Sequence, residues 1–168
     1  MTHIRWMTRM DMPEVLAIDQ KRPHPWTEDD FIQCLRQKQC IDLVAEVGET
    51  VVGFAVYELH RTRLSILRLA AHPNHKGAGQ DMLAKLKGKL SDQRTSIDVV
   101  VRESDLPAQL FYKAHGYRAI ETLREEFLDT NEDGYLMQFG EPSWNFEDDA
   151  DAPKEPGMEP IIPDDNQE

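Results

Sequence analysis

The sequence predicts a mixed α/β fold in which helices cover both faces of a single, mostly antiparallel sheet. Three observations predict it. Strand-like and helix-like segments follow one another as β, two helices, three strands, helix, strand, helix, two strands. The three consecutive strands are joined by short turns, as antiparallel neighbours are, whereas LSILRLAA (64–71) and IDVVV (97–101) are separated by a helix, which a parallel pair requires. The chain has 168 residues, 40% of them hydrophobic, which suits one cored domain.

In chain order, IRWMTR (4–9) alternates and reads as an opening strand. Asp11 stands three residues before Glu14, a capping-box spacing, and Pro13 fits the first turn of a helix through about Asp19. KRPHPW (21–26) is a loop, because two prolines forbid helix there. Thr27 restarts a helix over EDDFIQCLRQ, whose early acids suit the helix dipole. LVAEV (43–47), Gly48-Glu49 and TVVGFAVYEL (50–59) form a hairpin with a two-residue turn. After LSILRLAA and HPNHKGAG comes a helix from about Gly79 to Leu90, with Met82, Leu83, Leu86 and Leu90 on one face and a solvated face of Lys85, Lys87 and Lys89. IDVVV is a buried strand. Asp105 caps a helix with Pro107 in its first turn, which Gly116 ends. YRAIETLR (117–124) and GYLMQF (134–139) close the sheet as two strands.

Charge separates the chain into two regions. The net charge is −12, and residues 141–168 carry −9 of it, with ten Asp or Glu against Lys154 alone and five of the ten prolines. Such a segment cannot offset its ordering entropy, so residues 1–140 are expected to form the domain and 141–168 a disordered tail, pinned at its start by Trp144 and Phe146. The remaining −3 leaves no broad basic face, so nucleic acid is not an expected partner. No apolar run reaches membrane-spanning length, and two cysteines, Cys34 and Cys40, make no disulfide framework. A cytoplasmic protein without a membrane partner is expected, with both cysteines as inert packing residues. His72 and His75 have no clear third ligand, so no metal site is expected.

HPNHKGAGQDMLAKL (72–86) places Gly77 and Gly79 at the start of a helix that follows a strand. That is either a tight turn or a cradle in which backbone N–H groups approach an anion at a helix N-terminus. GAGQDM lacks the third glycine of a dinucleotide fingerprint, and no GK[ST] follows it.

VVVRESDLPAQLFYKAHGY (99–117) resembles the acetyl-CoA-binding and catalytic stretch of GNAT acetyltransferases, through Arg102, Ser104, Asp105, Ala108, Tyr112, Gly116 and Tyr117. RPHPWTEDDF (22–31) and LREEFLDTNEDGYLMQF (123–139) are similar to the RimI-like branch, which acetylates the N-terminal α-amine of a small-subunit ribosomal protein. The resemblance spans about residues 3–140. It implies an acetyl-CoA-dependent N-acetyltransferase with the GNAT-like sheet, and one parallel pair after the acetyl-CoA loop. The acceptor implied is a protein or peptide N-terminus, a ribosomal protein among the candidates, attacked directly in a ternary complex without a metal. Leu69, Ala70 and Ala71 would offer backbone to the pantetheine arm. Lys76, Gly77, Ala78, Gly79 and Gln80 would hold the pyrophosphate, with Asp105 at the next helix start and Tyr112 as general acid. Alternatives are a weakened GNAT-fold module that binds CoA or a protein, and a small-amine acetyltransferase.

Two departures from the family pattern bear on chemistry. Only three residues separate Pro73 from Gly77, so the phosphate loop is two residues short. Val100 stands where the RimI-like branch has its glutamate base, with Asp98 and Arg102 on the same strand face. An α-amine, with a pKa near ~8, is partly neutral at physiological pH, whereas a lysine amine near ~10.4 is not. Val100 therefore favours an α-amine over lysine. Glu125 and Glu126 either steer a cationic amine or form an exposed acidic edge.

Overall fold

The computed structural model describes residues 2–141. The expectations for the acidic tail, including its anchoring by Trp144 and Phe146, lie outside the described residues.

Seven strands and four helices follow the expected order. They are β1 (His3–Trp6), α1 (Met12–Asp19), α2 (Glu28–Leu35), β2 (Cys40–Val47), β3 (Thr50–Leu59), β4 (Arg63–Ala71), α3 (Gly77–Lys87), β5 (Ser96–Arg102), α4 (Leu106–Ala114), β6 (Arg118–Phe127) and β7 (Glu132–Gly140). The strands form one sheet in the order β1-β2-β3-β4-β5-β7-β6. Only β4 and β5 pair in parallel, through the α3 crossover; every other neighbouring pair is antiparallel.

Strand alternation feeds two apolar layers. On one face Leu64, Ile66, Ile97, Val99 and Val101 pack against Met82, Leu83 and Leu86 of α3 and Tyr112 of α4. On the other, Val44, Phe54 and Val56 meet Val15 and Ile18 of α1 and Phe31 and Cys34 of α2. Phe31 is fully buried, with Trp26 and Phe54 edge-on at 5.1 and 5.4 Å. Burying such a ring stabilises by roughly 1.5–3 kcal/mol. Gly48, at φ +62°, supplies the left-handed residue of the β2–β3 turn, and Gly116, at φ +90°, does the same beyond α4.

Several boundaries differ from the sequence reading for local reasons. β1 ends at Trp6 rather than Arg9, because a short 3-10 turn (Arg9–Asp11) begins there, where the Thr8 N–H donates to Asp11 Oδ2 at 2.7 Å. Asp11 thus caps this turn and holds Arg5 through two 2.8 Å bonds, so the expected Asp11–Glu14 box does not form. Glu14 instead accepts the Val51 N–H at 3.0 Å, tying α1 to β3. The Thr27 cap forms as expected, with Asp30 N–H to Thr27 Oγ1 at 3.2 Å, but α2 stops at Leu35. α3 begins at Gly77 rather than Gly79, because the chain is already wound: Ala78 N–H donates to His75 O at 3.0 Å. The helix ends at Lys87, before Gly88, rather than at Leu90. Lys87 is not part of a solvated face; its ammonium donates to His115 O at 2.6 Å and lies 4.2 Å from the Phe139 ring centre.

Candidate functional site

One strand irregularity opens the site. Along β3, Val56 faces Arg68 and Tyr57 faces Ile66, so Leu67 is an extra residue bulged out of β4. The parallel pairing of β4 with β5 stops at the same level, at Ile66↔Val99. Beyond it β4 runs on to Ala71 and β5 to Arg102 without pairing to each other, so the two strands diverge. The gap between them is a cavity of about 320 Å³. Ile66–Leu69 and Val99–Arg102 form its walls, and the first turn of α4, Tyr112, Phe127 and the Lys21–His24 stretch close it.

The α1–α2 loop is laid across the mouth of this gap by contacts at both ends. Lys21 Nζ lies 3.0 Å from His72 Nε2. Arg22 Nη1 donates to Leu69 O at 2.7 Å, and its Nη2 stands 3.5 Å from Asp105 Oδ2, so one guanidinium spans from β4 to the start of α4. His24, at φ +55°, places its Nδ1 3.3 Å from Asp129 Oδ2 in the β6–β7 turn, and its carbonyl accepts from Arg68 Nη2 at 3.1 Å. Asp129 in turn takes both Arg102 Nη atoms at 3.0 Å, while Arg102 Nη1 also reaches Glu132 Oε1 at 2.8 Å. The Arg102 bonds hold the Asp129 carboxyl below its ordinary range, and Glu132, bonded to Ser104 and Arg102, falls to about 2. The Arg102 guanidinium stacks 4.1 Å from the Phe127 ring centre.

Tyr112 is buried on the helix side of the gap, edge-on to Phe111 and Tyr117, each at 5.2 Å. Burial pushes its hydroxyl up to about 12, with the Arg22 charge acting in the opposite direction and Asp105 adding to the rise. The group therefore stays protonated through the neutral range. Asp105 caps α4 as the sequence indicates, accepting the Ala108 N–H at 3.1 Å.

Of the residues singled out from sequence, Leu69, Asp105 and Tyr112 line the cavity together. Ala70 and Ala71 continue β4 away from it, and Lys76, Gly77, Ala78, Gly79 and Gln80 form the start of α3 outside the lining. Lys76, Gly77 and Gln80 are exposed there, while Ala78 and Gly79 are buried. The two glycines differ in kind. A Cβ on Gly77 would meet nothing within 4 Å, so this position is open to an approaching ligand. One on Gly79 would stand 3.3 Å from the Phe111 ring, so this glycine lets α3 pack against α4. Arg22, His24, Arg68, Phe127 and Asp129 were not identified individually from sequence; the two prolines around His24 marked only a loop. Val100 does face the cavity. The two adjacent acids divide: Glu125 is exposed at φ +50°, whereas Glu126 is partly buried. No group of three or more His, Cys, Asp or Glu side chains suited to a metal occurs among the described residues.

The parallel pair thus splits beside the start of α4, with the buried Tyr112 side chain in the gap. The chain belongs to the acetyltransferase (GNAT) family, whose model matches residues 4–117. No curated protein matches it in sequence. Its fold is similar to that of the ribosomal-protein-S18-alanine N-acetyltransferase from Escherichia coli, at 20% identity and TM-score 0.72, over 87% of this chain and 97% of that one. Ard1 from Thermoplasma volcanium is similar at 22% identity and TM-score 0.70, over 86% and 99%. A GNAT family acetyltransferase from Elizabethkingia anophelis, solved with acetyl-CoA bound, gives 14% and 0.68 over 83% and 98%. At these identities the likeness concerns the fold. No helix among the described residues is long and apolar enough to cross a membrane.

Proposed function

We propose that the protein is an acetyl-CoA-dependent N-acetyltransferase whose acceptor is the α-amine of a protein or peptide N-terminus, with cytoplasmic ribosomal proteins among the candidates. Residues 1–140 carry this activity, and 141–168 are appended to it. The observation that carries the reading is the divergence of β4 from β5 around a 320 Å³ cavity that contains Tyr112.

The residues present fit the co-substrate. Past Ile66 the β5-facing edge of β4 lacks a strand partner, and such an edge suits an extended amide-bearing arm. The start of α3, exposed at Lys76 and Gly77, gives N–H groups outside the helical ladder and a positive dipole end for phosphates. Asp105 at the start of α4 lies across the gap. When bound, acetyl-CoA supplies the acetyl group as a thioester.

Within the chain, Arg22 holds the Leu69 carbonyl and must release it for an arm to pair there. Tyr112 keeps its proton at neutral pH and can donate it to a departing sulfur. Val100 presents an apolar wall to the acceptor, which suits an amine that is partly neutral beforehand. The loop and the β6–β7 turn, joined through His24 and Asp129, border the acceptor side, as expected for a segment that selects N-termini. The sequence resemblance to the RimI-like branch, and the likeness in fold to a ribosomal-protein-S18-alanine N-acetyltransferase, support a peptide acceptor.

A panel of N-terminal peptides and free small amines, incubated with labelled acetyl-CoA, tests the reading. Label on the α-nitrogen of peptides is the expected result. Label on small amines only would move the protein to a different acceptor class, and none with any amine would leave a CoA-binding or protein-interaction module.

A further inference from the structure

We propose that Glu126 is the proton acceptor for the attacking amine, filling the role that Val100 cannot; this rests on the acetyltransferase reading above. The other candidate on the face of Val100 is already committed. Asp98 is buried and faces Arg63 Nε at 3.5 Å, whereas Glu126, which like Asp98 stands behind the cavity lining rather than in it, has no such partner among the described residues.

The β6–β7 register brings Glu126 to the place. Leu123 pairs with Gly134 and Phe127 with Glu132, so Arg124, Glu125 and Glu126 together face the single Asp133. Asp133 fastens this bulge, accepting the Glu125 N–H at 2.8 Å and Arg124 Nη1 at 3.3 Å, with Glu125 in the left-handed region at φ +50°. A bulge re-aims the residue that follows it. Here Glu126 comes over Gly134: a Cβ on that glycine would lie 2.8 Å from Val100 Cγ1, 3.1 Å from Phe127 Cε2 and 3.4 Å from Glu126 Cβ. Gly134 therefore leaves the space in which the Glu126 stem and the Val100 side chain come together. Any side chain there would separate them.

The charge pattern points the same way. The charged groups of the elements meeting here are Arg102 of β5, Glu132 and Asp133 of β7, Glu125 and Asp129 of the hairpin, and Arg22 and His24 of the α1–α2 loop. Asp129, Glu132 and Asp133 are all paired with arginines. The carboxylate of Glu126 is partly buried, and among the described residues it has neither a hydrogen bond nor an ion pair. An unpaired carboxylate beside a cavity is a candidate for chemistry rather than structure. Burial raises it above the ordinary glutamate range, toward the pKa of the amine it would deprotonate.

In the transfer step the amine nitrogen bonds to the thioester carbonyl carbon, and the carbon–sulfur bond breaks. Before attack the ammonium form of the amine gives a proton through water to the Glu126 carboxylate; after it, the second nitrogen proton leaves to solvent and the Tyr112 hydroxyl donates a proton to sulfur. Both groups then re-equilibrate with solvent.

The test is the pH dependence of kcat/KM for the full chain and for Glu126→Gln, with a peptide that the wild type acetylates. Glu126→Gln should fall by about tenfold near pH 7, where an amine of pKa near ~8 is only about one-tenth neutral, and recover as pH rises past that pKa. Its affinity for acetyl-CoA should be unchanged, and Val100→Glu in the same chain should restore part of the neutral rate. A folded Glu126→Gln protein with the wild-type profile, or one depressed equally at every pH, would overturn the proposal and leave the acetyltransferase reading intact. A wild type that acetylates no amine would remove both.

Discussion

The two walls of the cavity are built in different ways. The wall on the β4 and α4 side is backbone and packed core: a bulged strand, the start of α4, and Tyr112 set among Phe111 and Tyr117. The wall on the loop and hairpin side is held by charges that join distant segments, with Arg102, Asp129 and His24 in one chain of contacts. The first arrangement suits a ligand that is the same in every turnover. The second suits an acceptor that varies, since exposed ion pairs contribute only about 0–1 kcal/mol each and exchange without disturbing the core.

If that division is right, damage to the two walls should register in different kinetic constants. The largest effect is expected from Tyr112→Phe, which removes the proposed proton donor but keeps the ring packing. Its kcat should fall by about 10²–10⁴-fold, the range of positioned acid–base help, with little change in acetyl-CoA affinity by calorimetry. A smaller effect is expected across the cavity. Asp129→Asn weakens the tie between the hairpin, Arg102 and His24, so the peptide KM should rise by about two- to fivefold with kcat nearly unchanged. Equal losses in both constants for both variants would show that the walls do not act separately.

The smallest effect sharpens the comparison from outside it. Burial of Asp42 on β2 raises its carboxyl to about 6, with the Asp11 charge adding to the rise. Because the folded-state value lies above the ordinary 3.8, ionisation disfavours the fold, and stability declines as pH rises from about 4 through 6. Asp42→Asn should therefore raise the melting temperature slightly at pH 7 and not at pH 4, leaving both kinetic constants alone. Differential scanning calorimetry at the two pH values checks it.

The same division governs what could be read from the sequence. The strand and helix order, the single parallel pair, the Asp105 cap and the two-residue turn at Gly48 were legible because each is a local pattern. Helix ends slipped where a neighbouring group captured a cap, as Thr8 did with Asp11. The bulge at Leu67 leaves no mark, since LSILRLAA contains neither glycine nor proline, and its register is set by β3. Tyr112 and the GAG stretch stood out through a family spacing. The contacts of Arg22 and His24 did not, because they join residues that no periodicity relates: Arg22 meets a carbonyl 47 positions away and a carboxylate 83 away. The space over Gly134 depends on three strands at once and could not be read from any one of them.

The most direct test of the account is amide hydrogen exchange across the chain, with and without acetyl-CoA. Slowed exchange is expected at residues 69–71 and 76–80, with the β6–β7 hairpin at 124–133 little changed until a peptide is added. Slowing confined to the hairpin and the 20–27 loop, or none anywhere at saturating ligand, would contradict it.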